Sequence, residues 1–226
     1  MRFAIFNKER VEATSGLKGA ICPLCSQAVI AKCGTQKVNH WAHRTIKTCD
    51  SWWEPETEWH RSWKNNFPAD WQEVILFDEI TNEKHIADIR TKHGLIIEFQ
   101  YSHINPEESN SRENFYKNMI WVVDGTRLKR DYPRFIEGFN SIRPTRKKGI
   151  YFIDFANECF PTKWLNNSVP VIFDFHDNVS SIELNNVYRK YLWCLLPNVK
   201  GERRLLIAFD PKDFIGLCFK QSKLIL

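Results

Sequence analysis

Two acids, Asp88 and Glu98, sit inside short strand-like stretches on either side of a turn that contains Gly94. A carboxylate in a strand costs β propensity and desolvation, so each needs a compensating partner. If residues 86–90 and 95–102 form an antiparallel hairpin, Glu98, Gln100 and Ser102 share one face of the second strand. A two-residue loop would set Asp88 opposite Phe99. A three-residue loop, Lys92-His93-Gly94 with Gly94 in the left-handed position, would set Asp88 opposite Glu98, and glycine is the residue such a loop prefers there.

Facing carboxylates repel unless a cation lies between them. Oxygen ligands suit Mg²⁺ or Mn²⁺, ions that activate water and stabilise charge on a phosphodiester. Gln100 would then orient the water or a phosphate oxygen. Upstream, Glu56, His60 and Lys64 recur at intervals of four, a single polar stripe if residues 56–67 are helical. Glu56 and His60 would complete the metal shell or carry protons, and Lys64 would hold a phosphate. Spacing alone leaves a plainer reading open, with Asp88 a surface acid beside Arg90 or Lys92 and Glu98 facing solvent. The 56–64 stripe would then be a solvated ladder of ion pairs.

A second set of residues points to zinc. Cys22-Pro-Leu-Cys25 is followed after fourteen residues by His40-Trp-Ala-His43. Pairs of soft ligands two residues apart can chelate from one tight turn, and Zn²⁺ takes four in a tetrahedron. Cys22, Cys25, His40 and His43 are the expected ligands, with Cys33 and Cys49 as alternative donors; the plain alternative is a chance C-x-x-C with two surface histidines. Four protein ligands leave no open position for water, so the ion would be structural.

The elements that must carry these groups follow from pattern. Residues 2–13 read as a hairpin. Ser51–Glu54 with Pro55 reads as a capping box opening a helix over 56–67, with Trp59 and Trp63 facing the core. Residues 71–80 read as a strand, 106–118 as a helix with an acidic first turn, and 119–123 as a buried strand. The order of helix, three strands, helix and strand predicts an α/β or α+β core. Further strands are expected at 151–155, 171–175 and 205–209, a helix at 183–196 bearing Tyr188, Tyr191 and Leu192, and a solvated basic loop at 143–148.

Composition sets limits on these readings. The 226 residues are 43% hydrophobic and carry a net charge of +5, enough apolar content for a core and compatible with a nucleic-acid partner. No stretch approaches the ~18 apolar residues of a membrane span, and residues 1–8 lack a signal-peptide core, so the expectation is a cytoplasmic protein without a membrane partner. Seven cysteines including a C-x-x-C pair favour thiols and metal ligation over disulfides.

Asp88 followed by Glu98-Phe99-Gln100 resembles the PD-(D/E)xK nuclease signature, in the variant with glutamine as the final residue; Ala87 stands where that signature has proline. More narrowly, the chain resembles the competence protein CoiA-like nuclease family. The resemblance lies in residues 22–25, 40–43, Glu-Thr-Glu-Trp-His with Lys64 (56–64), 86–89 and 97–104, with Arg112, Tyr116 and 120–123 extending it. It spans residues ~20–125 and picks out Glu56, not Glu58, as the acid four before His60.

The resemblance implies a restriction-endonuclease-like core, a central mixed sheet flanked by helices, behind a zinc-ribbon-like N-terminal module. The expected division is 1–50 for the zinc module, 51–150 for the nuclease-like core and 151–226 for a C-terminal extension. It also implies a Mg²⁺- or Mn²⁺-dependent deoxyribonuclease working in DNA processing during transformation or in phage defence. A homodimer and a recruiting protein partner are compatible with such a role. The competing reading is a non-catalytic zinc-containing module that binds nucleic acid or protein on a degenerate nuclease fold.

Overall fold

A computed structural model describes residues 1–45, 49–79, 81–176, 184–197 and 204–224. The chain divides into two compact units, Met1–Arg90 and Thr91–Leu226. No described helix is long and apolar enough to cross a membrane.

The first unit opens with β1 (Phe3–Phe6) and β2 (Glu9–Glu12), an antiparallel hairpin. Asn7 and Lys8 both take positive φ, the conformation that a two-residue turn needs to follow strand twist. A second small sheet pairs β3 (Val29–Lys32) with β4 (His40–His43). Met1, Ala4, Ala20, Cys22, Val29 and Trp41 form the core of this region, with Cys25 and Cys49 packed on it.

The helix that follows is shorter than its pattern suggests. α1 spans Glu58–Lys64, and its capping box is built from Thr57 and His60: Thr57 Oγ accepts from the His60 N–H, and the His60 ring accepts from the Thr57 N–H. Ser51–Glu54 and Pro55 therefore precede the helix rather than open it, and Glu56 lies outside it. Trp63 is buried as expected. β5 (Gln72–Phe77) then pairs antiparallel with β6 (Lys84–Arg90), with Gln72 opposite Ile89 and Val74 opposite Ala87.

The second unit begins on the predicted loop. Thr91 N–H donates to Leu95 O, Gly94 N–H donates to Thr91 O, and Gly94 has φ +81°, so three residues lie between Thr91 and Leu95. β7 (Ile96–Gln100), α2 (Pro106–Tyr116) and β8 (Met119–Asp124) make a strand–helix–strand unit with the two strands parallel. Asn105 caps α2, Pro106 takes its first position, and Glu107 and Glu108 supply the acidic first turn.

α3 (Asp131–Gly138), β9 (Ile142–Pro144), β10 (Ile150–Ile153), α4 (Ala156–Cys159), β11 (Val171–Asp174), β12 (Leu192–Leu195), β13 (Arg204–Phe209) and α5 (Pro211–Lys220) complete the unit. The sheet runs β7-β8-β11-β12-β13-β10-β9, parallel across its first three strands and antiparallel beyond. This is the mixed α/β architecture expected of the core. The helix expected at 183–196 is absent from the described part: Leu184–Lys190 is a 3₁₀ turn and Leu192–Leu195 a strand buried along its whole length, while 181–183 lie outside the described residues. Phe135, Phe160, Phe173, Phe175 and Trp193 pack ring on ring as its aromatic core.

Candidate active site and metal centre

In the first unit a single ammonium organises three acids. Lys64, at the last position of α1, is buried, and its Nζ lies 2.8 Å from Asp88 Oδ1, 3.5 Å from Glu73 Oε1 and 3.6 Å from Glu56 Oε1. Burial alone would lower its pKa; the fields of Asp88, Glu56 and Glu73 more than reverse that and raise it well above the ordinary lysine value. Glu56 is also clamped by Arg61, Nε to Oε1 at 3.0 Å and Nη2 to Oε2 at 2.7 Å. Burial pushes the Glu56 carboxyl up, but Lys64 and Arg61 outweigh it and hold it at about 2.

Glu73 was not among the expected site residues. Register places it across from Asp88, between the pairs Gln72–Ile89 and Val74–Ala87. It takes φ +46°, and its two oxygens accept from the Arg2 and Phe3 N–H groups at 2.7 and 3.0 Å. The signal was available only through strand pairing, which links positions fifteen apart. Three carboxylates surround the Lys64 ammonium, which shows where these acids demand a cation.

His60 points elsewhere. Its Nε2 donates to Glu54 Oε1 at 2.9 Å, while Nδ1 accepts from Thr57. The structure thus brings Glu56, Lys64 and Asp88 together from the predicted set and commits His60 to the capping box and Glu54.

In the second unit Glu98 and Gln100 lie on β7. Glu98 is only 3% exposed, so the solvent-facing alternative is excluded, and its Oε2 accepts from Arg112 Nη1 of α2 at 3.0 Å. Arg112 also bonds Glu108 and lies over the Trp121 ring. Gln100 is buried, and its Nε2 donates to Ser102 O and Oγ, both at 3.2 Å.

Of the four expected zinc donors the structure brings three together, and a cysteine joins them. Cys22, Cys25, His43 and Cys49 bring their donor atoms within 4.8 Å of one another, with Cys22 Sγ 3.6 Å from Cys49 Sγ and Cys25 Sγ 3.3 Å from His43 Nε2. Tetrahedral zinc with bonds of ~2.3 Å to sulfur needs ligand separations of about 3.8 Å, so the donor set fits the ion. The tight turn after Cys22 is closed by Ser26 N–H to Cys22 O and by Leu24 N–H to Cys22 Sγ.

His40 stands outside this cluster; its Nδ1 lies 2.9 Å from Val38 O. The reason is periodicity: three residues apart on strand β4, His40 and His43 project to opposite faces, and only His43 shares Trp41's inward side. Cys49 replaces it, whereas Cys33, the other alternative donor, is exposed and directed at Ala13 O. Beside Cys49, Asp50 fastens β6 to this region, its carboxylate 2.8 Å from His85 Nδ1 and 2.9 Å from the Ile86 N–H it accepts.

Two family models match the chain: the N-terminal domain of competence protein CoiA over residues 5–51, and the nuclease-like domain of competence protein CoiA over 73–158. The first contains all four clustered zinc-type donors and the second contains Glu73, Asp88, Glu98 and Gln100. Competence protein CoiA of Bacillus subtilis (strain 168) is 30% identical over 128 residues, 51% of this chain. The matched stretch spans 34% of that relative's length. No solved structure matches.

Proposed function

Because this chain belongs to the competence protein CoiA-like family, we propose that it is a metal-dependent nuclease hydrolysing phosphodiester bonds in DNA. The observation that carries this reading is a pair of ion-paired strand acids within the nuclease-like match, Asp88 with Lys64 and Glu98 with Arg112. The loop between Thr91 and Leu95 has the three residues that the sequence reading calls for. Asp88 and Glu98, with Glu56, would hold Mg²⁺ or Mn²⁺. A bound ion of that kind supplies an activated water and charge to the phosphoryl oxygens.

The chain's own groups divide the remaining work. Gln100 orients the attacking water or a phosphate oxygen through its amide. Lys64 offers an ammonium to a phosphate. Cys22, Cys25, His43 and Cys49 hold a structural Zn²⁺. Cleavage of both strands of a duplex would call for two copies of the site, hence a homodimer, working in the cytoplasm on DNA delivered by a protein partner in transformation or defence.

The test is cleavage of single-stranded, duplex and branched DNA with added Mg²⁺ or Mn²⁺, comparing wild type with Asp88→Ala and Glu98→Ala. Loss of roughly 10²–10⁴-fold is expected in each. Activity surviving both substitutions would rule out this site. A second reading, a zinc-containing binding module on a nuclease fold, draws on the same ion pairs, since Lys64 and Arg112 already neutralise the acids. It predicts binding without turnover in the wild type.

A further inference from the structure

At the C-terminal ends of the parallel strands β7, β8 and β11 the second unit has a crevice, the position where open α/β sheets bind ligands. It is lined by Tyr101 and Ser102, which follow β7 directly, by Asp124 at the end of β8 with Gly125 and Arg127 after it, and by Asp131 and Lys163. Its lining pairs two cations, Arg127 and Lys163, with two acids, Asp124 and Asp131. Burial raises the Asp131 carboxyl, and Arg134, Arg130, Lys163 and Arg127 oppose it, so four cations stand near the crevice's two acids. Asp131 Oδ1 accepts no hydrogen bond among the described residues, and Arg134 Nη1 is 3.9 Å away. Asp124 is satisfied locally by the Thr126 N–H and hydroxyl, both at 2.7 Å. Arg127 and Arg130 are exposed, and the Arg127 guanidinium lies 6.0 Å from the centre of the partly exposed Tyr101 ring. Cations beside an accessible aromatic ring are what a polynucleotide strand requires, phosphates on the charges and a base against the ring.

We infer that this crevice binds the sugar–phosphate backbone of a single DNA strand, with Arg127 and Lys163 on phosphates and Tyr101 against a base. The choice of ligand rests on the nuclease reading above; the placement rests on the crevice. Gln100 bonds Ser102, so the crevice starts at the end of the strand that carries Glu98, and a strand held there is led toward β7.

The experiment is binding of a fluorescent single-stranded oligonucleotide to the full chain by anisotropy, without added Mg²⁺, across a salt series. The double variant Arg127→Gln/Lys163→Gln is expected to reduce the slope of log K against log salt by about 1.4, two phosphate contacts' worth, with about tenfold weaker binding at physiological salt. Tyr101→Ala is expected to weaken binding about tenfold at unchanged slope. A comparison pair on the exposed basic loop, Arg146→Gln/Lys147→Gln, is expected to leave the slope near that of wild type. An unaltered slope in the crevice variant, an equal drop in the comparison pair, or no binding by wild type would overturn the inference. Variants whose melting temperature matches wild type report binding alone. A chain that binds in this way yet never cleaves keeps the inference and removes the nuclease reading.

Discussion

Lys64 has almost no water to solvate its ammonium, and three carboxylates take water's place. Breaking such a buried set by removing one partner is far more costly than the set's net worth, because the remaining charges lose their counter-ion. Lys64→Met is therefore expected to destabilise the protein by about 3–5 kcal/mol, measured by urea unfolding at pH 7. Adding Glu56→Gln should recover part of that loss; no recovery would mean the lysine acts through packing and not charge. Glu56 gives this cluster its pH dependence. Its carboxyl is held at about 2 against an ordinary 4.5, so the folded state binds its proton less readily than the unfolded chain. That difference amounts to about 3 kcal/mol, fully present above pH 4.5 and lost as pH falls toward 2. Accordingly the stability gap between wild type and Glu56→Gln should be widest near neutrality and shrink across that window. A gap that stays constant from pH 7 to pH 3 would show that Glu56 matters only as a shape.

Strand β4 carries the clearest lesson at the level of elements. The spacing of His40 and His43 puts both on one side of a helix but on opposite sides of a strand, so the secondary structure decides which can ligate. Cys49→Ser and His43→Ala are each expected to lower zinc bound per chain from one equivalent toward zero, while His40→Ala leaves it at one. Metal analysis of the purified variants checks this, and a zinc-free His40→Ala protein would restore the pairing first expected from sequence. The same dependence on context explains what else was legible. The loop at Gly94 was readable because a left-handed residue at a fixed position selects one turn type. β8 and β11 were readable as short apolar runs bounded by turns. Leu192–Leu195 was not, since a strand covered on both faces shows no alternation, and Tyr188, Tyr191 and Leu192 mimic a helical stripe. The start of α1 was misplaced because its capping box uses His60 where Glu or Gln is the usual signal. Glu73 stayed hidden because only pairing with β6 reveals its neighbour.

Over the whole chain, the two units hold themselves together by different means. Thr91–Leu226 has an aromatic core and seven sheet strands, with Trp121, Phe135, Phe173 and Trp193 almost wholly out of solvent. Met1–Arg90 relies near its N-terminus on two hairpins of four-residue strands around small residues, Ala4, Ala13 and Ala20, with Trp41 buried among them and Phe6 packed alongside. So little apolar surface does not offset the entropy of ordering the chain without a staple, and four metal ligands are placed to provide it. Burial raises the Cys22 and Cys49 thiols and lowers His43, so metal-free ligands sit there as neutral groups and gain their full interaction only with the ion. Removing zinc with a strong chelator should therefore act unevenly along the chain. Backbone amides of β1, β3 and β4 are expected to lose protection from hydrogen exchange by orders of magnitude, while those of β8, β11 and β12 keep theirs. Because Asp50, next to Cys49, accepts from the Ile86 N–H, amides of β6 should deprotect with the first group. Adding or removing Mg²⁺ alone should change none of these rates. Equal loss of protection in β8 and β1 on zinc removal would show instead that the metal holds up the entire chain.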